Sequence, residues 1–95
     1  MVDVAMVGAG QTPYGTHPAA MKDMWADAVR ACFESIDGDL APASVDEVFL
    51  GSTAFGGGQL GNTAAYLAEH AGMAGVPARR IENACASSGF ALRDG

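Results

Sequence analysis

Apolar residues recur at every third or fourth position between residues 21 and 36, a spacing that places them on one face of a helix. The apolar positions are Met21, Met24, Trp25, Ala28, Val29, Cys32, Phe33 and Ile36. The charged residues on the opposite side are Asp23, Asp27, Arg30 and Glu34. The pattern predicts an amphipathic helix, and Gly38 is well placed to stop it.

Three short segments, the first two of them largely apolar, indicate β-strands between the helical segments. Val2 to Val7 is rich in β-branched residues and leads into Gly8-Ala9-Gly10, which predicts a buried strand followed by a tight turn. Val45 to Leu50 predicts a second buried strand, and a third is expected around Arg80 to Ala84.

Two further helices complete an alternating pattern. Asn62 can cap a helix whose apolar body runs from Ala64 to Ala71 and ends at Gly72, and a third helix is expected to begin after Cys85. The order β-α-β-α-β-α predicts an α/β fold with a mostly parallel sheet, whose ligands bind at the carboxyl ends of the strands. Cys85 is expected at such an end.

Composition and charge narrow the class of protein. The 95 residues are 49% apolar, which is enough for a core, and the net charge of −6 disfavours nucleic acid and anionic membranes as partners. Cys32 and Cys85 form neither a disulfide framework nor a metal-ligand spacing, so a cytoplasmic protein with free thiols and no metal is expected. Cys32 falls on the apolar helical face and is expected to be inert.

Two glycine-rich segments could suggest nucleotide binding. Gly8-Ala9-Gly10 lacks the third glycine of a dinucleotide motif, because Pro13 stands there, so a simple turn is favoured. Gly51 to Gly61 lacks the Gly-Lys-Ser/Thr ending of a phosphate loop, and it is interpreted as a closely packed crossing or a loop beside a site. His17 and His70 have no partner at a useful spacing and are interpreted as surface histidines.

The segment from Glu82 to Gly89 carries the strongest candidate for chemistry. A thiol at the start of a helix lies near the positive end of the helix dipole, which favours the thiolate, so Cys85 is a candidate nucleophile. Its own backbone N–H could help to hold an oxyanion formed from a thioester carbonyl. The alternative is a buried structural cysteine at a strand end.

Four segments together resemble the thiolase family: Val4 to Gly15, Val45 to Gly51, Gly58 to Ala64 and, most specifically, Glu82 to Gly89. Within the family, the residue pattern of these segments most resembles that of the sterol-carrier-protein-type thiolases and the archaeal acetyl-CoA acetyltransferases. The resemblance implies a thiolase-like fold in which residues 1–95 are a partial N-terminal domain, truncated within the helix after the nucleophile.

The same resemblance implies acyl-CoA C-acyltransferase chemistry. Cys85 would take an acyl group from an acyl-CoA, and a second CoA species would accept it, so that a 3-ketoacyl-CoA is made or thiolytically cleaved. Coenzyme A thioesters are then substrates, with no permanently bound cofactor. The catalytic histidine and second cysteine of the family lie outside residues 1–95, so this portion alone is expected to be inactive. The full-length protein is expected to be a homo-oligomer.

Three alternatives stay open on the sequence. A ketoacyl-synthase-like condensing enzyme shares the fold and the cysteine nucleophile, but it acts on chains held by a carrier protein. A non-catalytic thiolase-like subunit would bind a complete chain through its exposed strands. A plain dinucleotide-binding domain is a weaker third option.

Overall fold

A computed structural model describes residues 2–53 and 61–95 of the chain. Two strands in these residues form a parallel sheet, in which Val48 lies opposite Ala78 and Gly51 lies opposite Ile81. The α/β class with a parallel sheet is therefore confirmed. In chain order the elements are α1 (Met21–Glu34), a 3₁₀ turn (Pro42–Ser44), β1 (Val48–Gly51), α2 (Thr63–His70), β2 (Ala78–Ile81) and α3 (Ser87–Asp94).

The core lies between β1 and α2 and consists of two adjoining clusters. Val48 packs with Ala68 and Met73, and Leu50 packs with Ala64 and Leu67. Val48 and Leu50 are two positions apart in β1, so their side chains leave the same face of the strand. Trp25 of α1 packs against both clusters, and it therefore joins α1 to the sheet and to α2.

The predicted amphipathic helix is confirmed in α1, with an end slightly earlier than expected. Its apolar positions are half-buried, and its four charged positions are exposed, as the periodicity requires. The regular helix stops at Glu34 rather than at Ile36. The Ser35 N–H still donates to the carbonyl oxygens of Ala31 and Cys32, which closes the last turn ahead of Gly38.

The end of α2 satisfies its last carbonyl groups through a glycine in the left-handed conformation. Gly72 has φ +86°, and its N–H donates to the Glu69 carbonyl oxygen at 3.2 Å. The Met73 N–H donates to the Ala68 carbonyl oxygen at 2.8 Å, and Met73 and Ala68 also pack together. This pair of bonds is a Schellman motif, so Gly72 does end the helix as predicted. Asn62 lies at the N-terminal cap position, but its side chain makes no capping hydrogen bond.

Gly72→Ala is expected to lower the hydrogen-exchange protection of the Gly72 and Met73 amides about fivefold, the factor that corresponds to about 1 kcal/mol. The new Cβ would meet only the Pro42 ring, at 3.7 Å from its Cβ and 4.0 Å from its Cγ, so the loss comes from the left-handed backbone and not from crowding. Gly72→Asn is the control and should keep most of the protection, since asparagine tolerates this conformation. Equal protection in both variants and the wild type would contradict the prediction.

Both strands differ from their predicted bounds. Residues 45–47 precede β1 because the chain first makes the 3₁₀ turn, and the Val45 N–H donates back to the Pro42 carbonyl oxygen. β2 spans Ala78–Ile81 instead of a run from Arg80 to Ala84. Pairing with β1 stops once the Ser52 N–H has reached the Ile81 carbonyl oxygen, and the chain then turns toward α3.

The strand predicted for Val2 to Val7 is wrong for the described residues. The segment has no strand assignment there, and Val2, Val4 and Met6 are more than four-fifths exposed. An apolar, β-branched run becomes a strand only when its backbone groups find a partner ladder. Neither β1 nor β2 provides that ladder within residues 2–53 and 61–95.

Gly8 and Gly10 serve close packing rather than the predicted tight turn. A Cβ placed on Gly10 would lie 2.4 Å from both the Ala28 carbonyl oxygen and the Cys32 nitrogen, so this backbone rests directly on α1. The Ala9 N–H donates to Ser35 Oγ at 2.9 Å and fastens the same contact. The glycine spacing that could suggest a dinucleotide site is thus explained by packing against the helix.

Candidate active site

A five-residue turn, residues 82–86, joins the end of β2 to the start of α3 and carries Cys85. We call it the cysteine turn. Cys85 is exposed and lies two residues before Ser87, the first residue of α3, so its predicted position between a strand and a helix is confirmed. The alternative of a buried structural cysteine is wrong. Cys32 is half-buried on α1, in keeping with a packing role.

The residue just before the cysteine has an unusual backbone conformation. Ala84 has φ +46°, in the left-handed region that costs an alanine about 1–2 kcal/mol. Its N–H donates to a carboxylate oxygen of Glu82, which closes a tight local loop. Strained backbone of this kind persists only where surrounding contacts hold it, and it is common at functional sites.

Ser87, the first residue of α3, supplies part of that support. The side chain is buried, and its Oγ accepts a hydrogen bond from the Asn83 N–H at 2.8 Å. The same hydroxyl donates to the Ala84 carbonyl oxygen at 2.7 Å, and the Ser87 N–H reaches that oxygen at 3.2 Å. Ser87 therefore spans the turn and leaves no buried polar atom of its own unsatisfied.

Further support comes from the end of β1. Thr53 Oγ1 donates to the Ala84 carbonyl oxygen at 2.8 Å, across 31 residues of sequence. Thr53 follows β1 by two residues and Ala84 follows β2 by three. The carboxyl ends of two neighbouring parallel strands thus meet at the cysteine turn, where α/β folds place their ligands.

Gly51 allows α3 to begin immediately beside the sheet. A Cβ on Gly51 would lie 2.5 Å from Ser88 Cα and 2.6 Å from Ser88 N, closer than real Cβ contacts allow. The first turn of α3 therefore touches the last residue of β1 through backbone alone. This contact sets the distance between the sheet and the cysteine turn.

Gly51 and Thr53 lie in the loop interpreted from sequence as a crossing or a loop beside a site, and Glu82 lies in the segment that carries Cys85, but no individual role was predicted for any of the three. The signal available for Thr53 was its place just after a predicted strand, since the ends of parallel strands converge. The Glu82 contact could not be foreseen, because it depends on the φ angle of Ala84.

A small groove runs along α3 next to the cysteine. It has a volume of about 200 Å³ and is lined by Ala86, Gly89, Phe90 and Arg93. Gly89 has open space beside it, and Phe90 provides an apolar wall.

Neither histidine contacts Cys85 in the described part of the chain. His17 Nε2 lies within hydrogen-bond distance of the Pro13 carbonyl oxygen, and His70 Nε2 lies 3.0 Å from Asp23 Oδ1. His70 is exposed, as its interpretation as a surface histidine predicts. Its partner Asp23 lies 47 residues away in sequence, so no local spacing indicated the contact, and it links α2 to α1. The prediction that neither histidine is the base for Cys85 agrees with these contacts.

Three remaining points concern the glycine-rich loop, a metal site and a membrane-spanning helix. Most of the predicted loop from Gly51 to Gly61 lies outside them, since residues 54–60 are not described. Among residues 2–53 and 61–95, no three His, Cys, Asp or Glu side chains are grouped to hold a metal ion. The helices found in those residues include none with the length and apolar character to cross a membrane.

Comparison with known proteins gives consistent matches across the chain. A family model described as "Thiolase, N-terminal domain" matches residues 4–95. An acetyl-CoA acetyltransferase of Methanothermobacter thermautotrophicus is 34% identical over 97 residues, covering 100% of this chain and 25% of that protein. An acetyl-CoA acetyltransferase of Methanocaldococcus jannaschii is 37% identical over 100 residues, covering 98% of this chain and 24% of that protein. The chain thus spans about a quarter of the length of these curated relatives.

Proposed function

This chain belongs to the thiolase family, as its motifs predicted, and on that basis we propose that it carries the nucleophile of an acetyl-CoA acetyltransferase. The observation that supports this function best is the cysteine turn. Cys85 is exposed directly after the left-handed Ala84 and two residues before α3 begins, at the edge where β1 and β2 end. A sharp strand-to-helix turn of this kind presents a nucleophile clear of the neighbouring backbone.

The proposed reaction begins with attack of the Cys85 thiolate on the thioester carbonyl carbon of acetyl-CoA. A bond forms between Cys85 Sγ and the acetyl carbon, and the bond from that carbon to the CoA sulfur breaks. The CoA thiolate leaves and takes up a proton. The acetyl group then passes to the α-carbon of a second acetyl-CoA, which loses a proton, and acetoacetyl-CoA forms as Cys85 is released.

The Cys85 amide is the group of this chain proposed to hold the oxyanion of the tetrahedral intermediate. Asn83 and Cys85 form an isolated β-bridge, and the backbone hydrogen bonds of the described residues include none donated by this N–H. A donor fixed before the reaction stabilises developing charge without reorganisation.

The base that takes the Cys85 proton is proposed to come from residues beyond those described, because His17 and His70 are both engaged elsewhere. Coenzyme A thioesters are the proposed substrates, and a homo-oligomer in the cytoplasm is the proposed form of the full-length protein. The groove along α3 would accept the methyl end of a short acyl group.

Trapping of an acetyl-enzyme tests the function. The polypeptide encoded from Met1 by the complete gene is incubated with ¹⁴C-acetyl-CoA, quenched in acid and mapped by mass spectrometry. We expect the acetyl group on the peptide that contains Cys85, because an exposed thiol in this turn can reach a thioester.

The peptide that contains Cys32 is a matched internal control, since it carries the same functional group in a half-buried position. Acetyl on Cys32 with none on Cys85, or no acetylation at either position, would contradict the proposal. Acetyl transfer from a carrier protein but not from acetyl-CoA would favour the ketoacyl-synthase alternative.

A further inference from the structure

The Ala84 carbonyl oxygen accepts an unusual concentration of hydrogen bonds. Thr53 Oγ1 lies 2.8 Å from it, Ser87 Oγ lies 2.7 Å from it and the Ser87 nitrogen lies 3.2 Å from it. Two of these donors belong to Ser87, the first residue of α3. Thr53 is the one that arrives from the other strand, so it ties the turn to the sheet.

The peptide group that carries this oxygen also carries the Cys85 N–H. No cis peptide bond occurs in the described residues, so the Ala84 carbonyl and the Cys85 N–H point in opposite directions within one plane. Fixing the carbonyl oxygen therefore fixes the direction of the N–H. Hydrogen bonds donated to a carbonyl also polarise its peptide and strengthen the bond that the N–H can donate in turn.

We propose that Thr53 is a positioning residue for acetyl transfer, because its hydroxyl orients and polarises, through the Ala84 carbonyl, the amide that holds the oxyanion. This inference rests on the proposed function of Cys85. Thr53 need not touch the substrate to act in this way. Its contribution grows as negative charge develops on the substrate oxygen, so it favours the transition state over the bound substrate.

The left-handed backbone explains why a support from outside the turn is needed. Relief of the strain at Ala84, φ +46°, requires rotation about its N–Cα bond. With the preceding peptide held, that rotation carries the following peptide with it and would turn the Cys85 N–H away. A hydrogen bond from Thr53 opposes that rotation because the end of β1 is held by its pairing with β2. Thr53 thus holds the Cys85 amide in one direction, because Thr53 itself is held by the sheet.

The test compares Thr53→Val, which removes the hydroxyl at nearly constant shape, with Thr53→Ser, which keeps it. Both are made in the polypeptide encoded from Met1 by the complete gene. We expect Thr53→Val to lower kcat and kcat/KM for acetyl-CoA together by about tenfold, the effect of one lost hydrogen bond. Thr53→Ser should stay near the wild type.

Ser44→Ala is the matched control, since Ser44 Oγ also donates to a backbone carbonyl, that of Ala41, at 2.7 Å in the 3₁₀ turn. It should leave both constants unchanged. A second measurement needs no turnover: with ¹⁵N-labelled cysteine, the Cys85 amide proton should move upfield in Thr53→Val and stay in place in Thr53→Ser. Should Thr53→Val be insoluble, Thr53→Ala takes its place against Thr53→Ser.

Wild-type activity of Thr53→Val with an unmoved Cys85 amide signal would overturn the inference. Equal impairment of Thr53→Val and Thr53→Ser would also overturn it, because the methyl group and not the hydroxyl would then matter. These results leave a wild type that is acetylated on Cys85, so the proposed function survives them. A wild type that never acetylates Cys85 removes the proposed function itself, and the role of Thr53 with it.

Discussion

Cys85→Ser should lower the rate of acetyl transfer by the full gene product at least about a thousandfold, as the loss of an enzyme nucleophile does elsewhere. A serine hydroxyl is a much weaker nucleophile than a thiolate near neutral pH. An oxygen ester on serine would also be more stable than a thioester, so any acetyl group that did transfer would not be passed on to CoA. Both steps of the proposed cycle therefore fail in this variant.

The measurement is thiolysis of acetoacetyl-CoA, followed by the loss of its absorbance, in the wild type and the variant. Cys32→Ser is the matched control, because it makes the same atomic change at a half-buried position of α1. It should keep nearly full activity even if stability falls. Substantial turnover by Cys85→Ser would mean that another group forms the acyl-enzyme.

Gly51→Ala is expected to lower the free energy of unfolding by an amount at or above the upper end of the roughly 1–3 kcal/mol typical of an overpacked core. The added methyl carbon would lie 2.5 Å from Ser88 Cα and 2.8 Å from the Ser87 carbonyl carbon. These neighbours are backbone atoms, so no side-chain rotation can relieve the contact. The start of α3 must move away from β1, and the cysteine turn must move with it.

Hydrogen exchange and acetylation together check this expectation. In Gly51→Ala the amides of α3 should lose protection, and acetylation of Cys85 should slow even at temperatures where the protein stays folded. Gly89→Ala is the matched control, because an added Cβ there meets nothing within 4 Å and lies within α3. Alanine favours a helix over glycine by about 1 kcal/mol, so Gly89→Ala should raise α3 protection. Unchanged hydrogen-exchange protection of the α3 amides in Gly51→Ala would contradict the close backbone contact between Gly51 and Ser88.

Helices were predicted better than strands, and the reason is physical. The periodic face of α1 and the glycine that ends α2 are local features, and both appear where the sequence indicated. Strand bounds depend on a partner, so β1 is shorter than the run that predicted it, and β2 begins and ends earlier than predicted. The run from Val2 to Val7 finds no partner in the described residues and is therefore not a strand there.

The residues of the candidate site were likewise predictable only where the evidence lay in the local sequence. Cys85 could be singled out from sequence because small residues flank it and a predicted helix follows it. Thr53 could not be assigned, because its contact with Ala84 joins positions 31 residues apart. The partner of His70 was missed for the same reason, since Asp23 lies 47 residues away on another helix.

The amino-acid sequence by itself determined the family, the alternation of helices and strands, and the identity of the candidate nucleophile, because these are written in local residue patterns. The tertiary structure alone decided that the thiol is exposed, that Ala84 is left-handed, and that Thr53 and Gly51 reach the cysteine turn. Those features arise when distant segments come within a few ångströms of each other. Such distances depend on how the whole sheet packs, and no short stretch of sequence contains them.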